Sequence, residues 1–170
     1  AIDIMIQTSI NSPDVAPEFP IIDVIVPVYT GGAEVEACLA SVLDTQALQS
    51  FNIIVVNDAS PDPVINAYLE SLADAGRVEL LRHDHNAGFL AAITTGTAVN
   101  PERDFIILNA DTRVAGNWVE RLTRVANADT AIATVTPFTN NGEIASYPCL
   151  GVACSLPLGE TVESLDRICQ

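Results

Sequence analysis

The sequence contains no lysine; its 7 basic residues are all arginine. A P-loop sets a lysine on its phosphates, imine-forming enzymes use one as nucleophile, and a phospho-receiver domain holds one beside its acids, so all three are excluded. Positive charge of any kind is scarce. The arginines face 22 acidic residues, a formal charge of −15 at neutral pH, and this excludes an extended nucleic-acid surface, which needs clustered cations. A phosphorylated ligand must therefore bring its own cation or meet a local arginine. Long apolar runs are missing too: none reaches the ~18 residues that cross a bilayer, and residues 21–28 are interrupted by Asp23 and Pro27. Residues 1–10 lack the basic start and cleavage site of a signal peptide. The expectation is a cytoplasmic protein, associated with a membrane, if at all, through parts outside this chain.

Cys38, Cys149, Cys154 and Cys169 form no CxxC pair and have no histidine at metal-ligand spacing, so free thiols are expected rather than a disulfide framework or a zinc site. Glycine signatures are absent as well. There is no GxGxxG after the first apolar run and no GxSxG, which argues against a nicotinamide Rossmann domain and a nucleophile-elbow hydrolase.

What is present is a chain of 170 residues, 49% of them hydrophobic, enough for one domain with its own core. Residues 1–20, with Pro13, Pro17 and Pro20, read as an extended leader. Beyond it, β-branched runs alternate with helical spacing. Strands are expected at 21–27, 51–56, 78–81, 105–108 and 130–136, and helices at 33–43, 64–73, 88–99 and 118–126. Such alternation builds right-handed β-α-β units and a mainly parallel, doubly wound α/β sheet. After Pro137 the alternation stops. Residues 138–159 read as loop and 161–168 as one short helix, so the last layer is expected to be incomplete at the C-terminus.

In such sheets ligands bind beyond the carboxyl ends of the strands. Those ends read Pro27-Val28-Tyr29, Asn57-Asp58, Arg82-His83 and Asn109-Ala110-Asp111. A single aspartate after a strand is most often a turn former or a helix cap; two on one sheet edge favour a functional reading. His83 and His85 flank Asp84 without a third ligand nearby and are expected to form a polar surface turn. Trp118, at the start of a helix, is expected to pack.

Four segments in order carry a resemblance: Val26-Pro27-Val28-Tyr29, Val55-Val56-Asn57-Asp58-Ala59-Ser60, Asn86-Ala87-Gly88-Phe89 and Leu108-Asn109-Ala110-Asp111-Thr112. Together they resemble family 2 glycosyltransferases of the GT-A fold, in particular the branch that transfers rhamnose-like sugars in polysaccharide assembly. Pro137-Phe138-Thr139-Asn140-Asn141 and Ser146-Tyr147-Pro148 are similar to a segment after the metal motif in some members. The resemblance implies a nucleotide-sugar-binding domain over 21–137, followed by a segment at 138–170 leading to an acceptor side not in this chain. It implies a donor such as a UDP- or dTDP-sugar, a glycan or lipid-linked acceptor, transfer with inversion, and further domains in a longer parent.

Residue by residue, Asp58 matches the second acid of the family's D-D-G-S turn, which receives the donor base. A carboxylate suits uracil or thymine, whose N3–H donates, and not cytosine, which has no such donor. Tyr29, with Pro27 before it, matches the aromatic that stacks on the base. Asn86 and Gly88 match a helix-opening loop whose free amides face phosphate. The family's Arg-Asn later in that helix is replaced by Ile93 and Thr94, leaving Arg82 and Arg113 as the nearest cations. Asp111 matches the last acid of the D-x-D motif and implies Mg²⁺ or Mn²⁺ shared with the diphosphate. Asn109 replaces the first acid, with Ala110 between them. Past Pro137 the acids Glu143, Glu160, Glu163 and Asp166 match no motif, so the general base is expected outside the chain. A nucleotidyltransferase is disfavoured because Tyr29-Thr30-Gly31-Gly32-Ala33 lacks a cation; a non-catalytic nucleotide-sugar-binding domain stays open.

Overall fold

A computed structural model describes residues 20–45, 47, 49–142, 145–147, 151–156 and 159–168. The expected leader, apart from Pro20, lies outside these residues, as do Glu143, Pro148, Cys149 and Cys169. The elements run β1 (Ile22–Val28), α1 (Ala33–Leu43), β2 (Phe51–Asn57), α2 (Pro63–Asp74), β3 (Glu79–Arg82), α3 (Phe89–Thr97), β4 (Phe105–Ile107), α4 (Trp118–Ala126) and α5 (Val162–Ile168). The four strands form one parallel sheet in the order β3-β2-β1-β4.

That order explains which face each helix covers. A right-handed crossover keeps α1 and α2 on one face while the chain steps outward from β1 to β3. The return from β3 to β4, beyond β1, reverses direction and sends α3 to the other face. Side-chain alternation agrees. Ile22, Val24, Val26 and Val28 of β1 join Ile53 and Val55 of β2 in a core with Val35, Leu39, Ile65, Leu69 and the inner side of α4. Ile25, Ile54 and Val56 point the opposite way and pack on Ala92 of α3. Gly96 lets α3 lie close, since a Cβ there would stand 2.6 Å from Ile25 Cγ2. Trp118 packs as expected, with its ring edge-on to Phe51 at 6.2 Å and its Nε1–H donating to Thr45 Oγ1 at 3.0 Å.

One expected element does not form. Residues 130–136 begin in a turn at Thr130 and Ala131 and form no strand beyond a single bridge residue at Thr134, and Ala131, Ala133, Thr134 and Thr136 are exposed. β-branched composition makes a strand only where a neighbour supplies hydrogen bonds and a surface to cover. Among the described residues, the outer side of β4 carries no further strand.

The opposite end of the sheet is held by a buried charge. Asp23 is 2% exposed. Its carboxylate accepts from Asn52 Nδ2 at 3.1 Å, Asn100 Nδ2 at 2.7 Å and Arg103 Nη1 at 3.1 Å, tying β1 to β2 and to the turn before β4.

Candidate functional site

Strand order reverses between β1 and β4, so the crevice of an open parallel sheet falls beyond their carboxyl ends. Pro27 helps to open it. Asp23 N–H and Ile25 C=O bond toward β4, to Asp104 O and Leu108 N–H, and Pro27 has the same parity but no N–H to give. Pairing with β4 ends at Ile25, whereas pairing with β2 runs on to Val28. The two strands therefore part. Tyr29, 41% exposed, stands at one lip. The other lip is the segment 109–111, in which Asn109 and Ala110 are half-buried and Asp111 is exposed. The Asn109 carbonyl accepts from Thr112 N–H at 3.0 Å and Cys38 Sγ at 3.5 Å, which ties this lip to α1. The pKa of the free Cys38 thiol is pushed up to about 12, chiefly by burial and in smaller part by the Asp111 charge, against the lowering hydrogen bond of the Thr112 backbone.

The second part of the edge is built around Asp58, which is 3% exposed just under the surface. Oδ1 accepts from His83 Nδ1 at 2.7 Å and from Ala87 N–H at 2.8 Å; Oδ2 accepts from Gly88 N–H at 2.8 Å. Burial alone would raise its pKa, but the Ala87 amide, His83 and the Gly88 amide together hold it below the ordinary carboxylate value. The turn after it is equally tied. Asn57 Oδ1 accepts from Ser60 N–H at 2.8 Å, and Asn57 Nδ2 donates to Asn66 Oδ1 at 2.7 Å. Ala59 sits at φ 56°, the left-handed region where the family's turn has its glycine.

Two expectations are corrected here. His83 is not a surface-turn residue: its side chain is 15% exposed, and Nε2 meets Thr95 Oγ1 at 2.8 Å while Nδ1 meets Asp58. A carboxylate at the end of the neighbouring strand and a hydroxyl on α3 give the ring two partners, a pairing across strands that spacing does not reveal. His85 is exposed. Secondly, the Ala87 and Gly88 amides are not free but donate to Asp58, and Gly88 N–H also reaches Asn86 Oδ1 at 3.0 Å. The helix-opening loop is thus present, with Gly88 at φ 89°, but it is docked on Asp58.

Of the cations, Arg82 is exposed and paired with Glu70 at 2.9 Å, and Arg113 is exposed near Glu163. An open depression of about 400 Å³ lies against His83, Ala87, Ala91 and Thr95, on the β3 side of the edge rather than at the β1–β4 crevice. Among the described residues, no three His, Cys, Asp or Glu side chains converge as a ready metal cage. The exposed Asp111 fits a different arrangement, in which Mg²⁺ or Mn²⁺ rests on one carboxylate and is completed by phosphate oxygens and water. Asp166, Glu160 and Glu163 are engaged in contacts of their own. Asp166 pairs with Arg121, Glu160 accepts from Ser164, and Glu163 is held below its ordinary pKa chiefly by a hydrogen bond from Thr161. Among the described residues no helix is long and apolar enough to cross a membrane.

Residues 23–150 match the profile of glycosyl transferase family 2. An uncharacterized glycosyltransferase of Haemophilus influenzae is 25% identical over 104 residues, 61% of this chain and 32% of its own length. The uncharacterized glycosyltransferase YibD of Escherichia coli is 30% identical over 108 residues, covering 64% of this chain and 31% of its own. The chain spans about a third of the length of these curated relatives. Among solved structures, S. aureus TarS 1-349 in complex with UDP superposes with a TM-score of 0.54 at 15% identity, over 64% of this chain and 32% of that one. GalNAc-T7 with UDP, GalNAc and Mn²⁺ gives 0.53 at 21% identity, over 64% of this chain and 21% of that one. The α/β sheet is that of the GT-A fold.

Proposed function

Because the chain belongs to glycosyl transferase family 2, we propose that residues 21–137 are the nucleotide-sugar-binding domain of an inverting transferase. Its donor is a UDP- or dTDP-sugar, of the rhamnose-like class, and its acceptor a glycan or lipid-linked saccharide in cell-surface polysaccharide synthesis. The working compartment is the cytoplasm, with any membrane attachment outside these residues. The observation that carries the reading is the β1–β4 crevice between Tyr29 and 109–111, with ionised Asp58 on the same sheet edge.

In this reading Tyr29 stacks on the base, with Pro27 shaping the floor beneath it. Asp58 has spent three acceptor positions, and the one remaining on Oδ2 takes the imide N–H of uracil or thymine. Asn86 and Gly88 hold the loop that opens α3, whose next amides, Phe89 to Ala91, are the ones left to face phosphate. Asn109 and Ala110 border the ribose. Asp111 would hold Mg²⁺ or Mn²⁺, and the ion would supply charge neutralisation for a diphosphate leaving group. A chain of charge −15 needs such neutralisation to accept a diphosphate at all. The general base that takes the acceptor proton belongs to the parent chain beyond these residues, so this chain alone is expected to turn over no acceptor at an enzymatic rate.

Calorimetric titration with UDP, dTDP, GDP and CDP, each in Mn²⁺ and in EDTA, tests this directly. UDP and dTDP should bind in preference to CDP, and Mn²⁺ should strengthen binding in wild type but not in Asp111→Ala. Equal affinity for UDP and CDP overturns the role of Asp58, and equal affinity in Mn²⁺ and EDTA overturns that of Asp111.

A further inference from the structure

We infer that His83, anchored by Thr95, is a positioning residue that fixes the Asp58 carboxylate and through it the loop 86–88. The inference rests on the nucleotide-sugar reading above for its ligand, but its geometry stands on its own.

His83 is pinned at three places. Its backbone N–H donates to Asn57 O at 2.9 Å, beside Asp58 itself. Nδ1 lies 2.7 Å from Asp58 Oδ1, and because an ionised carboxylate only accepts, Nδ1 carries the proton in that bond. Nε2 lies 2.8 Å from Thr95 Oγ1, two turns along the helix that the loop opens. One ring therefore joins the end of β2, the end of β3 and the body of α3.

The consequence falls on Asp58. A carboxylate rotates readily about its last torsion, and the Ala87 and Gly88 amides grip its two oxygens separately. With His83 in place, Oδ1 is filled by two donors, and only Oδ2 keeps a position for a ligand. Without His83, either oxygen can turn outward, and Gly88 N–H retains Asn86 Oδ1 as an alternative acceptor, so the loop can let go of Asp58. His83 thus sets which acceptor geometry the base meets and how firmly the start of α3 is held. It touches no ligand in this arrangement; it acts through Asp58.

The two nitrogens of the ring can be separated chemically. The side-chain amide of asparagine places an N–H where Nδ1–H stands, whereas phenylalanine keeps the ring and loses both bonds. The test uses the 170-residue chain as wild type, His83→Phe, His83→Asn and Thr95→Val, with site-resolved amide exchange at Ala87 and Gly88, ring ¹⁵N shifts of His83, and UDP titration. Wild type should show protonated Nδ1. In His83→Phe, exchange at these two amides should accelerate and UDP affinity fall, each about tenfold, as for loss of one charge-assisted hydrogen bond. His83→Asn should restore both to within about threefold, and Thr95→Val should lie between. Unchanged exchange at Ala87 and Gly88 in His83→Phe overturns the inference, as does an asparagine variant no better than phenylalanine. Equal acceleration across the whole core would show a general stability role and overturn it as well. If wild type binds no UDP, the nucleotide-sugar reading fails, while the exchange and ring measurements still decide the role of His83.

Discussion

Asp58→Ala removes the acceptor for three donors at once, and its cost can be bounded from their surroundings. A hydrogen bond to a charged group contributes ~1.5–3 kcal/mol, but the three do not add. Ala87 is exposed, so its amide regains water, and Gly88 N–H falls back on Asn86 Oδ1. The half-buried His83 ring is the partner that cannot be replaced. The expected loss is therefore about 2–4 kcal/mol, well under the sum. Urea unfolding followed by the single tryptophan, buried Trp118, reads this as a lower midpoint at unchanged slope. The pH dependence gives a second check. The folded-state pKa of Asp58 is depressed, so the stability it contributes is fully present above its unfolded value, about 3.9. It is lost as pH falls through the lower folded value, because the unfolded chain takes up the proton first. The gap between wild type and Asp58→Ala should narrow below about pH 4. A gap at pH 7 within about 0.5 kcal/mol, ordinary for a surface change, or one that does not close in acid, would refute the reasoning.

Three further outcomes are expected. Asp23→Ala should lower the urea midpoint by an amount corresponding to about 3 kcal/mol, because it strands Asn52, Asn100 and Arg103 around a buried gap; a shift under about 1 kcal/mol contradicts this. Ala59→Gly should raise stability by about 0.5–1 kcal/mol, since relief of the left-handed penalty exceeds the added freedom of the unfolded chain; calorimetric melting would show a loss instead if the turn relaxes. Cys38, with its pKa near 12, should resist iodoacetamide in the native protein at pH 8 while the half-buried Cys154 is alkylated, as peptide mass mapping would reveal.

The alternation of β-branched and helical runs was enough to define a parallel α/β domain, because strands buried on both faces admit few polar interruptions. Strand ends could be read as well, and with them Tyr29, Asp58 and Asp111, since a polar residue directly after a buried strand stands at the edge where ligands bind. Even the docking of Trp118 followed from its place at the head of an amphipathic helix.

What could not be read depended on neighbours distant in the chain. Residues 130–136 have the composition of a strand, yet composition alone does not make one pair, and among the described residues the sheet ends at β4. The amides of Ala87 and Gly88 looked available because helix starts leave their N–H groups unpaired, but Asp58, some thirty residues earlier, takes both. His83 looked like half of a surface turn until β3 was laid beside β2, which brought its ring between Asp58 and Thr95. Local sequence determines where a carboxylate stands on the sheet edge, because strand length and burial are local properties. Which of its lone pairs remain for a ligand is decided only in the folded chain, because hydrogen bonds are filled by whatever donor the topology brings within 3 Å of them.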